Sequence, residues 1–397
     1  MANSRSSSSI LILILFLHLS SSSAKHGSHG RSATFHRHHG SQISNPRLRQ
    51  AYFALQAWKS SIHSDPQNFT TNWVGHNVCN YTGVYCAPLP HTTTVSVAGI
   101  DLNHGDIAGT LPEQLGLLSD LVLIHLNSNR FCGLIPKTLS NLTLLFELDL
   151  SNNRFVGSFP DVVLCLPSLR YLDLRYNEFE GQLPSSLFNK NFDAVFLNNN
   201  RFTSMIPPNF GRVSVSVLVF ANNNFRGCLP PTIANLADNL EELLMINTSL
   251  VGCLPPELGF LYKLRVLDLS YNEIVGPIPY TIAGLAHLEQ LNFGHNMLSG
   301  VVPEGVCVLP SLANFTFSYN FFCEEDEACG NLSSRHVAFD DRRNCLPEKP
   351  LQRSKKECEA VAEHPVDCYL LHCSNSGSVY GGGGGASVPL PSPPGHA

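Results

Sequence analysis

The stretch Leu145–Pro160, LFELDLSNNRFVGSFP, fits the template LxxLxLxxNxFxGxxP, with Leu145, Leu148, Leu150, Asn153, Phe155, Gly157 and Pro160 in register. The pattern returns about every 24 residues along the chain. A unit this short cannot bury its own apolar face, so successive copies must stack and share one core. The period therefore argues against a string of ordinary globular domains, although 397 residues could hold several.

A leucine ladder with an asparagine at each bend is the signature of a leucine-rich-repeat solenoid, an α/β repeat. The bend positions are Asn129, Asn153, Asn177, Asn200, Asn224, Asn272, Asn296 and Asn320, with Thr248 and Gly105 filling two further slots. They predict ten repeats over residues 95–323. A bend asparagine can bond backbone groups that an apolar residue would leave unpaired. Each repeat opens with a short LxL strand whose leucines face the core, and alternation turns the residues between them to a concave face. The later Gly-x-(Ile/Leu/Phe)-Pro segment resembles the plant-specific class of repeat.

A solenoid needs covers at both ends. At the N-terminal side, residues 44–94 predict a cap: a helix over 44–63 with Asn45 as its cap, Pro46 in the first turn and an apolar face of Leu48, Phe53, Leu55 and Trp58. A loop closed by Cys79 and Cys86 follows. After Cys323 the repeat pattern stops, and residues 324–376 predict a cysteine-rich C-terminal cap. Residues 1–24 read as a secretory signal, 25–43 as a flexible histidine-rich arm rather than a metal site, and 377–397 as a disordered Gly/Pro-rich tail. Protonated below about pH 6.5, that arm would attract acidic polysaccharide. No later stretch reaches the roughly 18 apolar residues of a membrane span.

Secretion makes the thirteen cysteines a disulfide framework with an odd thiol left over. Cys228 and Cys253 occupy equivalent GCLP positions of adjacent repeats and are expected to pair. Cys307 is expected to bond Cys329 or Cys323, and Cys132 and Cys165 are candidates for the unpaired thiol. Six sequons, at Asn68, Asn80, Asn141, Asn247, Asn314 and Asn331, suit N-glycosylation.

No catalytic motif, cofactor loop or metal-ligand spacing stands out, so the chain is read as a non-enzyme. Net charge of −6 suggests no nucleic-acid partner. The informative surface is the concave strip. Its charge is carried mainly by carboxylates, with Arg175 the one Lys or Arg, and among its aromatics Phe196 and Phe220 break the repeat consensus. The candidate peptide-binding residues are Glu147, Asp149, Tyr171, Asp173, Tyr176, Phe196, Phe220, Asp268 and Tyr271. Exposed aromatics among polar groups mark contact surfaces. Asp149, Asp173 and Asp268 equally follow the LDLS consensus without binding anything; His125 and His295 read as solvated.

CNYTGVYC (79–86), LNSNRFCG (126–133), the run 145–181, the two GCLP segments and FDDRRNCLP (339–347) together resemble the plant leucine-rich-repeat extensins, over about Pro46 to Cys373. The resemblance implies a secreted cell-wall protein, often a homodimer. It would bind small basic cysteine-rich peptides of the rapid alkalinisation factor type and act in wall formation, integrity and growth. Only Pro389–Pro394 corresponds to the family's long Ser-Pro-rich region. Two other readings are an inhibitor of a secreted wall-degrading hydrolase and a structural wall glycoprotein.

Overall fold

Residues 44–369 and the short strands Leu371–Cys373 and Val379–Gly381 are described by a computed structural model. The signal segment, the histidine-rich arm and nearly all of the Gly/Pro tail lie outside the described residues. A typical coil runs from an inner strand (Glu147–Asp149) through the Asn153 bend to a second short strand (Arg154–Gly157), then a 3-10 helix (Asp161–Cys165). Gly157 sits at φ 93°, where a side chain would be strained, and Pro160 immediately precedes the helix.

Among the described residues the inner strands form one twelve-stranded sheet. It is parallel from Val95–Asp101 to Ala338–Asp340, with Val84–Pro88 added antiparallel at the N-terminal edge. The register repeats coil by coil: Glu147 pairs with Tyr171, and Asp149 with Asp173. The second strands form separate sheets of six and four strands, interrupted between Phe202 and Val251.

The bend asparagine holds two coils at once. Asn153 accepts from the Phe131 amide at 2.9 Å and donates to the carbonyls of Leu126, Leu150 and Ser151 at 2.8–3.1 Å. The Leu126 and Leu150 carbonyls are shared with the bend asparagines of the adjoining coils, Asn129 and Asn177, and the Ser151 carbonyl also takes the Ser128 amide, so the ladder runs unbroken from coil to coil. In one coil the ladder residue is Asn223, not Asn224: Asn223 accepts from Phe202 N and donates to Leu197, Phe220 and Ala221. The ladder also continues past Cys323. Asn344 makes the same set of bonds, to Phe322 N and to the carbonyls of Phe317, Asp341 and Arg342, which adds an eleventh slot. Two residues after each bend, Phe155, Phe179, Phe202 and Phe225 stack at 6.3–6.5 Å as a buried spine.

The N-terminal helix spans Pro46–Ser61, and Asn45 accepts from the amides of Arg47 and Leu48. It buries Ala51, Ala54, Leu55 and Trp58, and Trp58 meets Phe131 at the end of the spine. Phe53 departs from the sequence expectation: it is 58% exposed, because positions 51, 54, 55 and 58 define the buried stripe and 53 lies off it.

Cys79–Cys86, Cys307–Cys329, Cys345–Cys358 and Cys253–Cys368 are joined. The expected Cys228–Cys253 bridge does not form. Cys253 bonds Cys368 instead, with Cα atoms 5.9 Å apart, and Cys228 is disulfide-bonded elsewhere. The C-terminal segment packs against the second-strand coils, with Cys368 and Cys253 both beside Gly276, whose missing side chain leaves room for the bridge. Cys132, Cys165 and Cys323 are free thiols among the described residues.

Candidate functional site

The outward positions of the inner strands form columns across the sheet. One column reads Glu147, Tyr171, Ala194, Val217, Glu242, Val266, Gln290, Asn314; the next reads Asp149, Asp173, Phe196, Val219, Leu244, Asp268, Asn292, Thr316. The face is therefore acidic at its N-terminal end, apolar in the middle apart from Glu242, and mainly neutral-polar beyond, with Asp268 the exception in these two columns.

In the acidic part, His125 Nε2 lies 3.0 Å from Glu147 Oε2, with both side chains about four-fifths buried. Burial pulls the imidazole pKa down, but the Glu147 bond and the nearby Asp101 and Asp149 outweigh it and raise it above the ordinary value. Asp149 accepts through Oδ1 from the Ser151 amide and hydroxyl, and Ser151 in turn accepts from Asn127. The same brace recurs where Asp268 takes the Ser270 amide and hydroxyl and where Asp173 takes the Arg175 amide. The LDLS aspartates thus tie their own bends, whatever else they meet.

Asp173 is a correction to the expected exposed strip: its side chain is fully buried. Its Oδ2 lies 3.0 Å from Arg175 Nε, yet neither atom has a well-directed hydrogen bond. Burial and the charge on Asp149 push its carboxyl up to about 7, against the opposing pull of Arg175. Arg175 extends over the Phe196 ring at 4.9 Å, and Tyr171 packs on Phe196 at 5.5 Å. Burial, followed by the charges of Asp173 and Asp149, raises the Tyr171 hydroxyl pKa. Asp173 is thus covered by Arg175 and bonded by the Tyr171 hydroxyl.

Phe220 is a second correction. It is 2% exposed and packs among Phe188, Phe210 and Phe225. The strand is Val217–Val219 with Leu218 inward, so Val217 and Val219 face outward and Phe220 fills a core leucine slot. The NxF spacing from Asn223 to Phe225 carries that register in the sequence. With Phe196, Leu244 and Val266 these residues make an apolar floor beside the acidic cluster.

Tyr176 and Tyr271 are about half exposed but stand just past the strand, at φ 53° and 56°. Tyr271, His295 and Tyr319 stack with centroids 4.0–4.1 Å apart along this rim. His295 belongs to that stack, a contact its position one residue before the bend asparagine could have suggested. All six sequon asparagines are exposed.

Family models described as Leucine rich repeat match residues 118–179, 263–285 and 287–309, and a Leucine rich repeat N-terminal domain matches 50–87. Leucine-rich repeat extensin-like protein 6 of Arabidopsis thaliana is 58% identical over 84% of this chain and 70% of its own length. The chain belongs to the leucine-rich repeat extensin-like family. Pollen-specific leucine-rich repeat extensin-like protein 2 of the same plant is 66% identical over 84% of this chain, which spans only 39% of that relative. Among solved structures, the Arabidopsis receptor kinase HAESA, in complex with the peptide hormone IDA and the co-receptor SERK1, is 30% identical. The match covers 69% of this chain and 46% of HAESA, with a TM-score of 0.63. Among the described residues of this family member, no helix is long and apolar enough to cross a membrane.

Proposed function

We propose that this extensin-like protein is an extracellular, wall-associated receptor module that binds a small basic secreted peptide on the outward face of its inner sheet. The observation that carries the reading is the acidic cluster Asp101, Glu147 and Asp149, separated only by the Tyr171–Asp173 strand from the apolar floor that begins at Phe196 and continues through Val219 and Leu244. Such a face suits a cationic peptide that also offers an apolar or aromatic anchor. HAESA, a fold relative with a bound peptide hormone, supports the class of ligand. A peptide of the rapid alkalinisation factor type has the required charge and size.

Calorimetry with a basic cysteine-rich peptide of that type tests the site. Phe196→Ala should weaken binding by roughly 2 kcal/mol if the ring is an anchor. Unchanged affinity in that variant and in Glu147→Lys would remove the face from consideration.

A further inference from the structure

Of the six sequons, four sit away from the ligand face and a fifth only borders it. Asn68 and Asn80 belong to the N-terminal cap, Asn141 and Asn331 close 3-10 helices, and Asn247 stands at the rim at φ 51°. Asn314 differs. It opens the inner strand Asn314–Thr316, pairs in register with Gln290 and Ala338, and is exposed while Phe315 turns into the core. Strand alternation therefore sends its side chain straight out of the sheet face. Its sequon hydroxyl is close, with Thr316 Oγ1 3.4 Å from Asn314 Oδ1.

We propose that Asn314 carries an N-linked glycan that screens the C-terminal third of the sheet face and confines ligand to the coils before it. Asn314 lies two strands beyond Asp268 and six beyond Tyr171. At a strand spacing of about 4.8 Å these are roughly 10 and 29 Å. A bulky hydrated glycan at that point covers Gln290, Asn292 and the approach to Asp268. It leaves the acidic cluster and Phe196 open. Around Asn314 its own and the preceding strand carry neutral side chains, Gln290, Asn292 and Thr316, and the following strand carries Ala338 opposite it and Asp340, which is already paired with Arg342.

The proposal rests on the extracellular reading, and one experiment separates the two. Glycopeptide mass spectrometry of the full chain secreted from plant cells should find Asn314 occupied. If other sequons are occupied and Asn314 is bare, the proposal fails while secretion stands. If the chain is retained inside the cells and never recovered outside them, the extracellular reading fails; if it is recovered outside with all six bare, only the glycan proposal fails. A Gln290→Lys reporter measures the screening. Its acylation should quicken at least threefold after endoglycosidase treatment of the folded variant, or in the added variant Asn314→Gln, while exposed Lys356 keeps its rate. An occupied Asn314 with unchanged Gln290→Lys labelling overturns the screening. Asn314→Gln should leave affinity for a basic cysteine-rich peptide within twofold; a tenfold gain would place that ligand under the glycan and overturn the confinement.

Discussion

The two ends of the sheet face are built on the same coil and do different things with it. At the N-terminal end, Glu147 bonds His125 in the neighbouring strand, and Asp173 and Arg175 sit against Phe196 of the next. Charges there reach across coils. Toward the C-terminal end the contact between coils is a carboxylate with a neutral amide: Asp268 takes Ser270 within its own bend and Asn292 from the next coil, and Asn292 takes the Gly294 amide. The shared ladder fixes where an outward side chain stands, and only its identity decides whether the position offers charge to a partner.

The sharpest way to break this comparison is to exchange the two phenylalanines in thought and then by mutation. Phe220→Ala should cost about 3–5 kcal/mol in denaturant unfolding, the usual range for truncating a buried ring. Phe196→Ala should cost clearly less in stability and lose peptide affinity instead. Equal stability losses would mean the outward register is misplaced. Next in size is the ladder itself. Asn272 accepts from the amides of Thr248 and Leu250 and from the Thr248 hydroxyl, besides donating to Met245, Leu269 and Ser270. Asn272→Ala should therefore destabilise by about 2–4 kcal/mol, more than Asn129→Ala, since each buried unpaired group costs about 1–3 kcal/mol. A reversed order in paired melts would undo the claim that Asn272 carries the Thr248 coil.

Charge reversal tests the functional half of the comparison. Glu147→Lys should weaken a basic peptide about tenfold at low salt, with the loss shrinking at higher ionic strength. Glu242→Lys, on the apolar stretch, should do less; equal losses would mean that charge, not position, sets affinity.

The smallest expected effect is with pH. Asp173 is raised to about 7 and His125 is raised as well, so both favour their protonated forms in the folded state. For Asp173 the folded protein binds the proton more tightly than the unfolded chain, so stability falls as pH climbs from about 4 to about 7. For His125 the stabilisation is full below its unfolded pKa of about 6.5 and is lost as pH rises through the higher folded value. Melting temperature should thus decline from pH 5 to pH 8, and Asp173→Asn should flatten the lower part of that slope. Over the same interval the face gains negative charge, so basic-peptide affinity should rise a few-fold. A flat binding profile would show that neither group senses the ligand.

The repeat was legible because its causes are local. A leucine at every inward position, an asparagine at each bend and Phe155 two residues later specify the coil from sequence alone. Phe220 escaped because three asparagines in a row, Asn222, Asn223 and Asn224, offer three bend registers, and a one-residue slip exchanges core for surface. Packing of Phe220 with Phe188 and Phe210 selects the register. The ladder's extension to Asn344 was hidden by cysteine-rich sequence that shares the bend but not the leucine pattern around it.

By itself, then, the sequence determined the solenoid, the direction of its strands and which residue types face outward, since period and alternation follow from backbone geometry. Tertiary structure decided what lies far apart in the chain. It joined Cys253 to Cys368 across 115 residues. It buried Asp173 beneath Arg175 and stacked His295 between two tyrosines from separate coils. Those outcomes depend on which coil meets which neighbour, and that is settled only when the whole stack closes around its shared core.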